Sequence, residues 1–202
     1  QLSSQHSQNF ENWFANTPGL KVVVPSNPYD AKGLLKAAIR DNNPTIFMES
    51  ELMYGDKGMV PEEEYVLEIG KANIVREGKD VTLVSFGKFM KIANECAIEM
   101  QKEGVDVEVI DLRSVRPIDY ETIITSVKKT NRLVLLEETW PVASISSDIS
   151  HIVQRNAFDH LDAPIYRVVS KDLPLPYAPT LIEEILPNVK KTIAAINAVM
   201  YR

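Results

Sequence analysis

The sequence is poor in the features that announce a function. It has one cysteine, Cys96, so a disulfide scaffold is impossible and folding fits a reducing compartment. No apolar run approaches the length of a membrane-spanning helix, and the first residues lack the pattern of a signal peptide. Basic charge is in deficit: 22 Lys and Arg against 28 Asp and Glu give a net charge of −6, which argues against a general nucleic-acid binder. P-loop, GxGxxG, GxSxG and HExxH patterns are absent, and three histidines make a zinc cluster improbable. What is present is ordinary globular composition. Of 202 residues, 45% are hydrophobic and 25% charged, enough to build a core and too apolar for disorder.

The apolar pattern alternates between helix and strand periods. In residues 1–54 a helix is expected over Ser7–Asn16, with Ser7 as cap and Phe10, Trp13 and Phe14 on its inner face. A strand at Leu20–Val24, a helix at Asp30–Arg40 and a strand at Thr45–Met48 then form a βαβ unit. That helix should turn Leu34, Leu35, Ala38 and Ile39 inward, with Asp30 as its cap. Residues 55–79, with Gly55, Gly58, Pro61 and three consecutive glutamates, read as a linker with a short strand at Ala72–Val75.

From residue 80 to 202 the alternation resumes. Strands are expected at Val81–Phe86, Val105–Leu112, Leu133–Leu136 and Ile165–Val169. Helices are expected at Ile92–Lys102, Tyr120–Thr130, Ala143–Phe158 and Pro187–Tyr201. This unit reads as a whole open α/β domain. The first unit has too few strands for a sheet of its own, so it either joins the second sheet or is the trailing part of a longer domain.

Two local features carry chemistry. His6 precedes the first expected helix, where the positive dipole end disfavours an imidazolium, so it suits proton transfer near pH 7; a loop histidine bonded to backbone is the alternative. The helix end at Ala38-Ile39-Arg40-Asp41-Asn42-Asn43 is stopped by Pro44 and leaves carbonyls without helical partners. Converging carbonyls could take a monovalent cation; an ordinary C-cap is the alternative. His151 and His160 read as surface or core-edge residues, Cys96 as a small core residue, and Trp140 as packing at a strand-to-helix turn or at a subunit interface.

Several strings in order resemble one family. Gln5-His6-Ser7-Gln8, Pro18-Gly19-Leu20-Lys21-Val22-Val23, Asp30-Ala31-Lys32-Gly33-Leu34-Leu35 and Glu51-Leu52-Met53-Tyr54-Gly55 are similar to the beta subunits of the pyruvate dehydrogenase component of 2-oxo acid dehydrogenase complexes. So are Val109-Ile110-Asp111-Leu112-Arg113-Ser114-Val115-Arg116-Pro117 and Asp162-Ala163-Pro164. The resemblance implies the trailing part of a thiamin diphosphate-binding (pyrimidine) domain, then a transketolase C-terminal-like open α/β domain. The chain would be a C-terminal fragment without the family's thiamin-activating glutamate.

The resemblance further implies a heterotetramer of two alpha and two beta subunits, docked onto a lipoyl acyltransferase core. Alpha would supply the diphosphate and magnesium ligands of the shared thiamin diphosphate. His6 matches the family's active-site histidine. Ala38, Ile39, Asp41 and Asn43 match positions that bind a structural potassium ion. Glu183, Glu184 or the chain end near Arg202 could serve docking. The implied setting is the cytoplasm, or the mitochondrial matrix in a eukaryote. The implied reaction is decarboxylation of pyruvate with reductive acetylation of lipoyl-lysine. A branched-chain or acetoin substrate is the enzymatic alternative, and a non-catalytic docking module is the other.

Overall fold

A computed structural model of the chain describes residues 6–202. Its elements are α1 (Glu11–Ala15), β1 (Lys21–Val23), α2 (Pro28–Arg40), β2 (Thr45–Phe47), β3 (Asn73–Arg76), β4 (Val81–Ser85), α3 (Met90–Lys102), β5 (Val107–Asp111), β6 (Ser114–Arg116), α4 (Tyr120–Thr130), β7 (Leu133–Leu136), α5 (Ile145–Ala157), β8 (Tyr166–Val168), α6 (Pro179–Ile185) and α7 (Val189–Val199). Among the described residues there are two sheets, ordered β2-β1-β6 and β3-β5-β4-β7-β8.

The larger sheet is parallel except at its β3 edge. Its strands are short, β-branched and buried on both faces, as parallel strands between helices must be. Val81, Leu83, Val107, Val109 and Val134 face α3 and α7, where Cys96, Met100 and Ile196 complete one core. Val84, Ile110, Leu133 and Leu135 face α4 and α5 with Ile123, Val127, Ile149 and Val153. Val22, Val24 and Ala15 join this second core, so the first unit is welded to the α4–α5 face of the sheet. Caps fix the helix starts: Asp119 accepts from Thr122 N–H at 3.2 Å for α4, and Ser144 from Ser147 N–H at 3.2 Å for α5.

The small sheet takes a third strand from the second unit, while the first unit does not join the larger sheet. Strands β1 and β2 pair in parallel, and β6, from within the second unit, pairs antiparallel with β1. The strand expected inside the linker is β3, which pairs with β5 as an edge of the larger sheet. Helix α6 and strand β6 were not expected; the first is only seven residues behind a proline-rich run and the second only three.

The readings of two helices are corrected. Helix α1 is shorter than Ser7–Asn16 and has no side-chain cap. It buries Glu11, Asn12 and Ala15, while Trp13 is 65% and Phe14 38% exposed. A helix of five residues has no continuous apolar stripe, and its polar bonds decide which side turns inward. Helix α2 starts at Pro28 with Asn27 as cap, because proline fits the first helical position; Asp30 lies in the first turn instead. Its inward stripe is Asp30, Gly33 and Leu34, and Ile39 is 74% exposed. Gly33 is required there, since a Cβ would come within 2.6 Å of Leu67 Cγ.

Candidate active site

In an open α/β sheet, ligands gather beyond the carboxyl ends of the strands, where the strand order reverses. Here β4 connects to β5 on one side, and the chain then crosses to β7 on the other. Lys88 follows β4 and Glu138 follows β7, and they form an ion pair of 2.6 Å across that point. Glu137, beside it, accepts from Ser146 N–H at 3.2 Å and Ser146 Oγ at 2.6 Å, so its carboxylate sits on the N-terminus of α5. Burial raises its pKa, and the Ser146 bonds oppose the rise.

The crevice is filled by the chain itself. Asn9 Nδ2 donates to Glu138 Oε2 at 3.1 Å, and Asn12 Nδ2 donates to Ala143 O at 3.2 Å. Leu175 N–H donates to Gln8 Oε1 at 3.5 Å, and the Phe10 ring lies 6.2 Å from Trp140. Trp140 Nε1 in turn donates to Leu173 O at 2.8 Å, which fixes the expected packing of this residue at the β7–α5 turn. Glu11, 4% exposed, enters the same cluster. Burial pushes its carboxyl up to about 8, its own backbone N–H opposes, and the charges of Glu138 and Glu137 add to the rise.

His6 projects from the front of this segment. Its Nδ1 lies 3.7 Å from Glu51 Oε1, and both side chains are more than half exposed. Glu51 opens the turn after β2, so the pair stands by the carboxyl ends of β1 and β2. The helix-dipole argument for His6 does not hold, because α1 starts five residues later at Glu11; the charge that faces the imidazole is the Glu51 carboxylate. Nδ1 turned toward a carboxylate leaves Nε2 to handle a proton.

The second candidate group lies elsewhere. Ala38, Ile39, Asp41 and Asn43 lie where α2 ends and feeds β2, at the amino end of that strand, whereas Glu51 lies beyond its carboxyl end. Asp41 N–H donates to Ala38 O at 3.4 Å. The Asp41 carboxylate accepts from Lys21 Nζ and from Asn43 N–H and Nδ2 at 2.8 and 2.9 Å. Lys21 first, then Asn43, holds Asp41 at about 2. His151 and His160 are exposed, and Cys96 is fully buried. Among the described residues no group of three or more His, Cys, Asp or Glu is placed to hold a metal ion, and no helix is long and apolar enough to cross a membrane.

Sequence reasoning missed Glu51 as the partner of His6, and it missed the cluster of Glu11, Glu137, Glu138 and Lys88. One signal was available: Glu137 and Glu138 directly follow the apolar strand Leu133–Leu136, at its carboxyl end.

The family model of the transketolase C-terminal domain matches residues 70–192, and that of the transketolase pyrimidine binding domain matches residues 1–57. The chain belongs to the transketolase C-terminal domain family. Its curated relatives include the pyruvate dehydrogenase E1 component subunit beta of Rhizobium meliloti, 52% identical over 202 residues, covering all of this chain and 44% of that protein. The mitochondrial subunit of the same name from Dictyostelium discoideum is 45% identical over 205 residues, covering all of this chain and 58% of that one. The acetoin:2,6-dichlorophenolindophenol oxidoreductase subunit beta of Bacillus subtilis is 47% identical over 192 residues, covering 95% of this chain and 56% of that one. The chain thus spans about half the length of the curated relatives it matches. Among solved structures, a split-gene transketolase described as an inactive beta4 tetramer superposes with a TM-score of 0.81 at 23% identity, over 98% of this chain and 63% of that one; this likeness concerns the fold.

Proposed function

We propose that this chain is part of the beta subunit of a thiamin diphosphate-dependent pyruvate dehydrogenase, which decarboxylates pyruvate and acetylates lipoyl-lysine on an acyltransferase core. The observation that carries the reading is the 52% identity to a pyruvate dehydrogenase E1 beta subunit over all 202 residues. In this reading an alpha subunit holds the diphosphate and magnesium, and a second beta subunit completes the assembly. Bound thiamin diphosphate supplies the carbanion chemistry. What this chain offers fits the substrate side of such a site: an exposed imidazole beside a carboxylate, at the carboxyl edge of a parallel strand pair. His6 holds and delivers a proton at Nε2 while the acyl group passes to the lipoyl sulfur, and Glu51 sets the ring orientation.

The carbonyls of Ala38, Ile39, Asp41 and Asn43 are proposed as ligands of a structural potassium ion. What supports this is the helix end itself: α2 stops at Arg40, and the carbonyls of its last turn lack partners within the helix.

The test uses the full-length subunit assembled with its alpha partner. Acetylation of a lipoyl domain from pyruvate should fall at least about 100-fold in His6→Ala, the usual cost of losing a positioned proton-transfer group. The likeness to the Bacillus subtilis acetoin enzyme favours acetoin as the second reading. A kcat/KM for acetoin or a branched-chain 2-oxo acid above that for pyruvate overturns the pyruvate assignment.

A further inference from the structure

The crevice at the strand-order reversal of the larger sheet is where a fold of this kind usually takes its ligand. Here it takes residues 8–12, the stretch that begins two residues after His6. The contact is made of charge. Glu138 bridges Lys88 through Oε1 and Asn9 through Oε2, and Glu137 hangs on the α5 N-terminus through Oε1 alone. Glu11 is buried against both acids, and its Oε2, like that of Glu137, is shut away from water with no bonding partner. Two buried carboxyls, Glu11 and Glu137, beside the partly buried Glu138, with one facing cation, Lys88, cannot all carry charge at a modest cost. Of the other titratable and charged groups around α1, exposed His151 of α5 lines the hollow beside Asn12 and Trp13, and three more are committed elsewhere. Arg116 of β6 donates to Ala15 O at 3.0 Å, Lys21 of β1 pairs with Asp41, and Asp148 of α5 accepts from Tyr120.

We propose that Glu11 and Glu138 are positioning residues for His6: the segment docks into the crevice with Glu11 as a neutral acid, and ionisation of Glu11 unseats it. This rests on the reading of His6 as the proton-transfer group. Glu138 supplies the fixed anchor through Asn9, and Glu11 supplies the condition. The placement of the Glu11 carboxyl near 8 means the seat is formed at neutral pH. The sign follows from the direction of the shift. A carboxyl favoured as the acid by the fold gives its full stabilisation below its ordinary 4.5; that contribution declines as pH rises and is lost above about 8. Alkaline pH therefore releases the segment, and with it the aim of the imidazole.

Hydrogen exchange of amides 7–12 in the full-length assembled protein, corrected for the chemical rate, reads the seat without relying on catalysis. Between pH 6.5 and 9.5 the parent should lose about tenfold protection, centred near 8. Glu11→Gln, which keeps the shape and cannot ionise, should show no loss. Lys88→Met, which removes the facing cation, should move the loss to higher pH. In the lipoyl-acetylation assay the alkaline limb of kcat, rather than KM, should flatten in E11Q. Protection of 7–12 that is constant with pH in the parent, or that falls equally in E11Q, overturns the proposal. An enzyme that does not acetylate lipoyl domains but still shows the exchange transition overturns the functional reading and keeps the seat.

Discussion

Replacing Arg113 with methionine should destabilise the protein by about 3–5 kcal/mol, the usual cost of stranding one half of a buried ion pair. Arg113 lies between β5 and β6, and its Nη2 is 2.7 Å from Oδ1 of Asp30, which is fully buried in the first turn of α2. At an effective dielectric of about 20 the attraction over that distance is about 6 kcal/mol, and desolvating the two ions offsets most of it. The pair is therefore near neutral as a unit and expensive to halve. Methionine retains the left-handed backbone demand of φ 60° at this position, so the comparison isolates the charge.

The neighbourhood makes the loss pH-dependent. Asp111 accepts from Ser26 Oγ and from Arg113 N–H at 2.9 Å, and burial holds it up at about 6. Its stabilisation is complete below 3.8 and is lost as pH rises through about 6, so a second uncompensated carboxylate appears at neutral pH once Arg113 is gone. Urea unfolding of the full-length protein should then show a larger deficit at pH 7.5 than at pH 5. The double variant Asp30→Asn, Arg113→Met should recover at least half of it. An Arg113→Met variant within about 0.5 kcal/mol of the parent, or a double variant no more stable than the single, refutes this account of how the two units are joined.

Two further outcomes follow from packing. Gly78→Ala should cost about 1–3 kcal/mol or more, because its Cβ would fall 2.3 Å from the backbone nitrogen of Glu108 in β5; a melting temperature unchanged from the parent contradicts that contact. Cys96, fully buried with its thiol pushed up to about 12 by burial, should resist a thiol reagent in the native protein and react fully in urea; rapid native labelling contradicts the core assignment.

The larger sheet was legible because its central strands are short apolar runs such as Leu133–Leu136, too brief for a helix and wholly buried in the fold. Its helices α3, α4, α5 and α7 were legible because each carries one apolar stripe for one sheet face. His6 and the helix end at 38–43 were singled out by local chemistry, which needs no knowledge of neighbours. Helix α1 was misread for the opposite reason. Its ring-bearing side looks inward by period, yet the chain turns Glu11 and Asn12 into the crevice, and only the partners there explain the choice.

The sequence by itself therefore determined the class of fold, the βαβ unit, the second open α/β unit and the two places where local chemistry could matter. Those depend on interactions between residues close along the chain: turn residues, caps and apolar period. The tertiary structure decided how β1 completes its sheet with β6, which side of α1 and α2 faces inward, and that Glu51 faces His6. It also brought Glu11 to Glu138 and Asp30 to Arg113, pairs separated by more than eighty residues. Whether a buried charge finds a partner is settled by what the fold places within a few ångströms of it, and sequence spacing at that range carries no such information.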